Sequence, residues 1–150
     1  MAKKATIKKD VAKKWAIECA RLAEDNKCED IVVLDLKGRS PVTDYFVIAT
    51  GSSNRQMRSV TDDMAAMGKK AGNPPYRVAG VDSPDWVILD FVDVVVHLFD
   101  ATHRRYYDLE LIWGEAPKIR WKRVTRKKAT DAQAKSDSKA SQEDDEDDDE

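Results

Sequence analysis

The stretch DWVILDFVDVVVHLF, residues 85–99, constrains this chain more than any other. It holds two runs rich in β-branched residues, 85–90 and 93–99, too close together for anything but a tight connection. They read as the two strands of an antiparallel hairpin. Side chains on a strand alternate between faces. One face then carries Val87, Leu89, Val94, Val96 and Leu98, is wholly aliphatic, and must be core. The other carries Trp86, Ile88, Asp90, Asp93, Val95, His97 and Phe99. A two-residue loop at Phe91 and Val92 sets Asp90 opposite Asp93, Ile88 opposite Val95 and Trp86 opposite His97. Such loops favour residues that accept positive φ, and neither Phe91 nor Val92 does so readily, which leaves room for a wider loop.

The second face mixes large apolar groups with two carboxylates and an imidazole. Unpaired charge is costly to desolvate, so two facing acids do not suit a dry core. A Trp, an Ile and a Phe beside acids suit a partner-binding patch with an apolar centre and a polar rim. The plainer reading is that a helix covers the apolar end and the acids mark an exposed hairpin tip. The alternation alone supports both.

The remaining chain places this hairpin in a mixed α/β protein. Val11, Trp15, Cys19, Leu22 and Ala23 recur at helical spacing, which predicts a helix over about 8–26. The runs DIVVLDL (30–36) and DYFVIAT (44–50) are nearly continuous in apolar residues, as in strands covered on both faces. Met57, Val60, Met64, Met67 and Ala71 predict a second helix, capped by one of Ser52, Ser53 and Asn54 and ended by Gly72. A short strand follows in YRVAGVD, then the hairpin. A last helix is expected to start at Thr102, turn Tyr106, Leu109, Ile112 and Trp113 inward and close at Gly114. The expected order is α-β-β-α-β-β-β-α, a mixed β-sheet with packed helices.

Composition sets the limits. The chain has 150 residues, 36% of them charged, yet its net charge is only −2. The charges are segregated into a basic run, KRVTRKK (122–128), and a wholly acidic one, EDDEDDDE (143–150). Such blocks stay solvated. The expected organisation is a globular domain over 1–121 and a disordered, basic-then-acidic tail over 122–150. No apolar run approaches the roughly 20 residues that span a bilayer, and the N-terminal residues lack the apolar segment of a secretory signal. A cytoplasmic protein with no membrane partner is expected. Cys19 and Cys28 lie in no metal-binding pattern.

Three function classes meet these residues. The corner TDYFVIATGSSNRQ, strand then Gly51-Ser52-Ser53 then helix, has the outline of a phosphate-holding turn in nucleotidyltransferases. Those enzymes also need closely set carboxylates for metal ions. Asp90 and Asp93 have the wrong spacing and place, and Asp62 and Asp63 are adjacent on a helix, so a catalytic reading requires relocated carboxylates. No catalytic, cofactor or metal residues are assigned; His97 and His103 lack a third ligand. Arg55, Arg58, Lys69, Lys70, Arg104, Arg105 and the basic run could meet phosphates, which makes an RNA-binding module the other alternative.

The segments DIVVLDLKGRSPVTDYFVIATGSSNRQ, DWVILDFVDVVVHLF and RRYYDLELIWG together resemble the ribosomal silencing factor (RsfS/Iojap) family, over residues 8–121 and in the same order. The resemblance implies a fold like that of nucleotidyltransferases without their catalytic acids. It implies a protein that is not an enzyme and needs no cofactor. Such a protein binds the large ribosomal subunit through its protein number fourteen, blocks joining of the small subunit, and represses translation under nutrient limitation. It places the functional tryptophan at Trp86 and the acids flanking the turn at Asp90 and Asp93. With the hairpin reading, the expected partner-binding set is Trp86, Ile88, Asp90, Asp93, Val95 and His97. Weak contact of the basic tail with rRNA and pairing of the free protein with itself are further expectations. Where the family usually has glycine in the turn, this chain has Val92, and the acidic tail is no family requirement.

Overall fold

The structure is a computed structural model that describes residues 2–82 and 85–123. The expected disordered tail lies almost wholly outside the described residues. The elements run α1 (Ala2–Asp25), β1 (Glu29–Asp35), β2 (Tyr45–Gly51), α2 (Asn54–Lys70), β3 (Arg77–Ala79), β4 (Trp86–Asp90), β5 (Val94–Asp100), α3 (Ala101–Tyr107) and α4 (Leu109–Ile112). The strands form one sheet in the order β1-β2-β5-β4-β3. The β2–β5 pair at its centre is parallel, and the other pairs are antiparallel. Past α4 the chain returns to the free edge of β1, where Leu34 bridges Lys118. Among the described residues no helix is long and apolar enough to cross a membrane.

Helices α1 and α2 cover one face of the sheet. From α1 come Ala12, Trp15, Ala16, Cys19, Ala20 and Ala23; Val11, expected to point inward, is 60% exposed. A seam of alanines lets α1 lie close to the strands. From α2 come Met57, Val60 and Met64. Opposite them stand Val33, Val47, Ala49 and the aliphatic face expected of the hairpin, Val87, Leu89, Val94, Val96 and Leu98. Burial of this surface, at about 25 cal/mol per Å² of apolar area, is the main force that holds the fold. Cys19 and Cys28 are buried free thiols, and burial pushes both pKa values up, Cys28 to about 11.

The last helix departs from expectation. It breaks into α3 and α4 at Asp108, which adopts the left-handed conformation with φ 46°. Tyr106, near the end of α3, is 77% exposed, and beyond the break Ile112 faces solvent at 67% while Leu109 and Trp113 pack inward. The cap of α3 is Asp100, whose side chain accepts the amide of His103, and not Thr102.

Candidate partner-docking face

The second face of the sheet is covered only in part. Leu34, Leu36, Ile48, Phe99 and Ala116 form a small cluster there, joined by Val32, Phe46, Trp86, Leu109 and Trp113. Along the hairpin and the strand beside it, Trp86, Ile88, Asp90, Val95 and Phe46 remain half-buried. Sheet order brings in Phe46, which lies beside Val95 on β2, and Arg77, which lies opposite Asp90 on β3.

The hairpin register differs from the expected one by two residues. Trp86 pairs with Phe99, Ile88 with His97, and Asp90 with Val95. A shift of two keeps every side chain on its face but removes Asp93 from the ladder, so Asp90 and Asp93 do not oppose each other. The cause is a wider loop over residues 91–93. Phe91 folds back into the core, 5% exposed, with its ring edge-on to Trp15 at 5.3 Å. The carbonyl of Asp93 accepts the amides of Asp44 and Tyr45 at 3.0 and 3.1 Å. Between these two anchors Val92 takes φ 75°, a left-handed conformation that a β-branched side chain resists. The amide of Asp93 donates to the carbonyl of Phe91, closing a γ-turn, and the amide of Val92 donates to Asp90 Oδ1 at 2.7 Å.

At the other end of the face, Trp86 sits in an aromatic nest. Its ring stacks on Phe99 at 4.9 Å and meets Tyr107 at 4.5 Å. Its indole Nε1–H donates to His97 Nδ1 at 3.0 Å. His97 is 5% exposed, and Phe46 meets it edge-on at 4.4 Å. Burial pulls its pKa down to about 4, so the imidazole is neutral at pH 7. Of the expected set, Trp86, Ile88, Asp90 and Val95 share the half-open surface, Asp93 lies in the adjoining turn, and His97 lies beneath.

The Gly51-Ser52-Ser53 corner is closed by its own side chains. Ser53 caps α2 by accepting the amide of Gln56 at 3.0 Å, and Gln56 Oε1 accepts the amide of Ser52 at 2.6 Å. Gln56 Nε2 donates to the carbonyl of Asn26. These two amides, which would hold a phosphate, are therefore already engaged. Gly51 is required for packing, because a Cβ there would lie 2.2 Å from Met57 Cγ.

Two polar clusters remain. Asp85, Asp100 and His103 converge, with ligand atoms all within 4.8 Å of one another. Asp100 is engaged there by the amide and Nδ1 of His103. Arg104 is buried: it grips Glu110 and Thr50 and reaches the carbonyl of Asp30 at the bulge in β1. It is thus a structural tie and offers nothing to a phosphate, whereas Arg55, Arg58, Lys69, Lys70 and Arg105 are exposed.

A mixed sheet with one helix-covered face, one half-open aromatic face and a self-capped glycine-serine corner defines a binding protein built to present a surface. The sequence profile described as "Ribosomal silencing factor during starvation" matches residues 9–148. The ribosomal silencing factor of Bacillus subtilis is 39% identical over 98 residues, 65% of this chain and 83% of the relative. Among solved structures, a Chromobacterium violaceum protein superposes with TM-score 0.64 at 35% identity, over 75% of this chain and 90% of that one. A Bacillus halodurans protein gives 0.60 at 32%, over 71% and 94%. The chain belongs to the ribosomal silencing factor (RsfS/Iojap) family, and like that family it is a regulatory protein and not an enzyme.

The expectation of a nucleotidyltransferase-like fold is corrected here. The matching solved structures are of the RsfS/Iojap fold. The physical reason is that a strand, a glycine-serine turn and a helix make a local corner. That corner recurs in unrelated sheets and carries no information about strand order.

Proposed function

We propose that this chain is a ribosome anti-association factor that docks on the large subunit, through its protein number fourteen, and sterically blocks the small subunit in the cytoplasm of a nutrient-limited cell. One observation carries this reading: the Trp86, Ile88, Asp90 and Val95 face is half-open while the opposite face is sealed by α1 and α2. The aromatic anchor supplies most of the affinity, and Asp90 and Asp93 meet basic side chains on the partner. The globular domain over 1–121 carries this activity, and the basic run from Lys122 adds weak, salt-sensitive attraction to rRNA. In the free protein a second copy competes for the same face.

Sucrose-gradient sedimentation of purified subunits, with and without the protein, tests this. Loss of the joined ribosome, with the protein riding on the large subunit alone, is expected. Joined ribosomes that persist at saturating protein would overturn it. Deleting the chain from Lys122 is expected to weaken binding and flatten its salt dependence; abolished binding would favour an RNA-binding module instead.

A further inference from the structure

Trp86 is fixed by a hydrogen bond whose chemistry reaches past the ring itself. Its Nε1–H donates to His97 Nδ1 at 3.0 Å. A nitrogen that accepts carries no proton, so the neutral imidazole holds its proton on Nε2. Nε2 is buried and has no hydrogen-bond partner. Its surroundings are aromatic, with Phe46 at 4.4 Å, Trp86 at 5.9 Å and Phe99 at 6.3 Å between ring centroids. A buried donor left unpaired is unfavourable. An aliphatic residue would avoid that penalty and pack as Ile48 does beside it on β2. The imidazole offers one thing an aliphatic residue cannot, an acceptor at Nδ1.

We infer that His97 is a positioning residue: it captures the indole N–H, sets Trp86 across the half-open face, and leaves the ring with no free donor, so that the partner receives it in an apolar pocket. The first part is a property of the free chain, and the last rests on the docking reading above. Diagonal neighbours on adjacent strands are within reach of aromatic side chains, which is how His97 meets Trp86 while pairing with Ile88.

The test uses the full chain, labelled with nitrogen-15, with the Trp86 indole signal identified by its loss in Trp86→Phe. A long-range imidazole spectrum is expected to show His97 protonated at Nε2. Exchange of the Trp86 indole proton is expected to speed up at least tenfold in His97→Leu and to stay slow in His97→Asn, whose oxygen takes the place of Nδ1. An Nδ1-protonated imidazole, or equal exchange in wild type and His97→Leu, overturns the inference. Should His97→Leu fail to fold, the imidazole spectrum and His97→Asn still decide it.

Binding to isolated large subunits reads the second part. His97→Leu is expected to weaken it at least tenfold in the natural chain and to have no effect in the Trp86→Phe background. An equal loss in both backgrounds overturns a positioning role. Binding that ignores every change at Trp86 overturns the docking reading alone, because the spectra are taken on the free chain.

Discussion

Arg104 and Glu110 meet fork to fork: Nε donates to Oε1 at 3.0 Å and Nη2 to Oε2 at 2.8 Å. With Thr50 and Asp30 as its further partners, this one guanidinium ties α3 to α4 and to the first two strands. Bidentate pairs of this kind combine strength with fixed geometry. Arg104→Met keeps the stem and removes the fork. It is expected to lower unfolding stability by about 2 kcal/mol in urea titration. The Arg104 hydrogen bond holds the Glu110 carboxyl below the usual carboxylate range. Its contribution is therefore present above the unfolded-state pKa and is lost as pH falls through the lower folded value. An unchanged urea midpoint in Arg104→Met would show that the tie is dispensable.

Val92 is the second test point. Its φ of 75° is imposed by Phe91 in the core on one side and Asp93 bonded to β2 on the other. A non-glycine residue in this region costs on the order of 1–3 kcal/mol, part of which glycine returns as lost chain entropy. Val92→Gly is expected to raise stability by about 1 kcal/mol, or roughly 3–5 °C in Tm. Val92 is 53% exposed, so its removal costs little packing. A fall in Tm would mean that the turn is not strained.

His97 makes stability depend on pH. Its folded pKa of about 4 lies below the ordinary value of 6.5 because of burial. Between these values the unfolded chain binds the extra proton, so stability falls as pH drops below about 6.5. The loss from this group is on the order of 2 kcal/mol between pH 7 and 5. Urea unfolding at the two pH values measures it, and His97→Asn is expected to remove that share. If the variant shows the same slope as the natural chain, the imidazole is not the titrating group.

Asp90 has two roles that two substitutions separate. Asp90→Asn keeps an oxygen for the Val92 amide and removes the charge, whereas Asp90→Ala removes both. The first is expected to weaken large-subunit binding several-fold and flatten its salt dependence at unchanged stability. The second is expected to lose a further ~1 kcal/mol of stability from the turn. Equal salt slopes for Asp90→Asn and the natural chain would remove the carboxylate from the docking contact.

The hairpin shows how far sequence reasoning reaches. Period-two alternation placed Val87, Leu89, Val94, Val96 and Leu98 in the core correctly, because a register shift of two leaves the faces intact. The register itself was not legible. It depends on Phe91 finding Trp15 and on Val92 accepting positive φ, and both are tertiary effects. Phe46 and Arg77 were missed for a related reason, since only the strand order brings β2 and β3 beside the hairpin. The break at Asp108 was hidden because an aspartate gives little sign of a left-handed backbone, and the helical rhythm appeared to run through it.

The parallel pairing of β2 with β5 has a consequence for the making of the protein. Tyr45 cannot meet Val94 until α2, β3 and β4 have all been synthesised, and the edge of β1 is closed only when Lys118 arrives. Such distant pairings must overcome loop-closure entropy before any contact rewards them, and they form late. The face that carries Trp86 is therefore absent from the nascent chain until almost the whole domain has left the exit tunnel. A growing copy that still lacks β5 has no complete Trp86 face, so the proposed docking surface arises only once β5 has paired with β2.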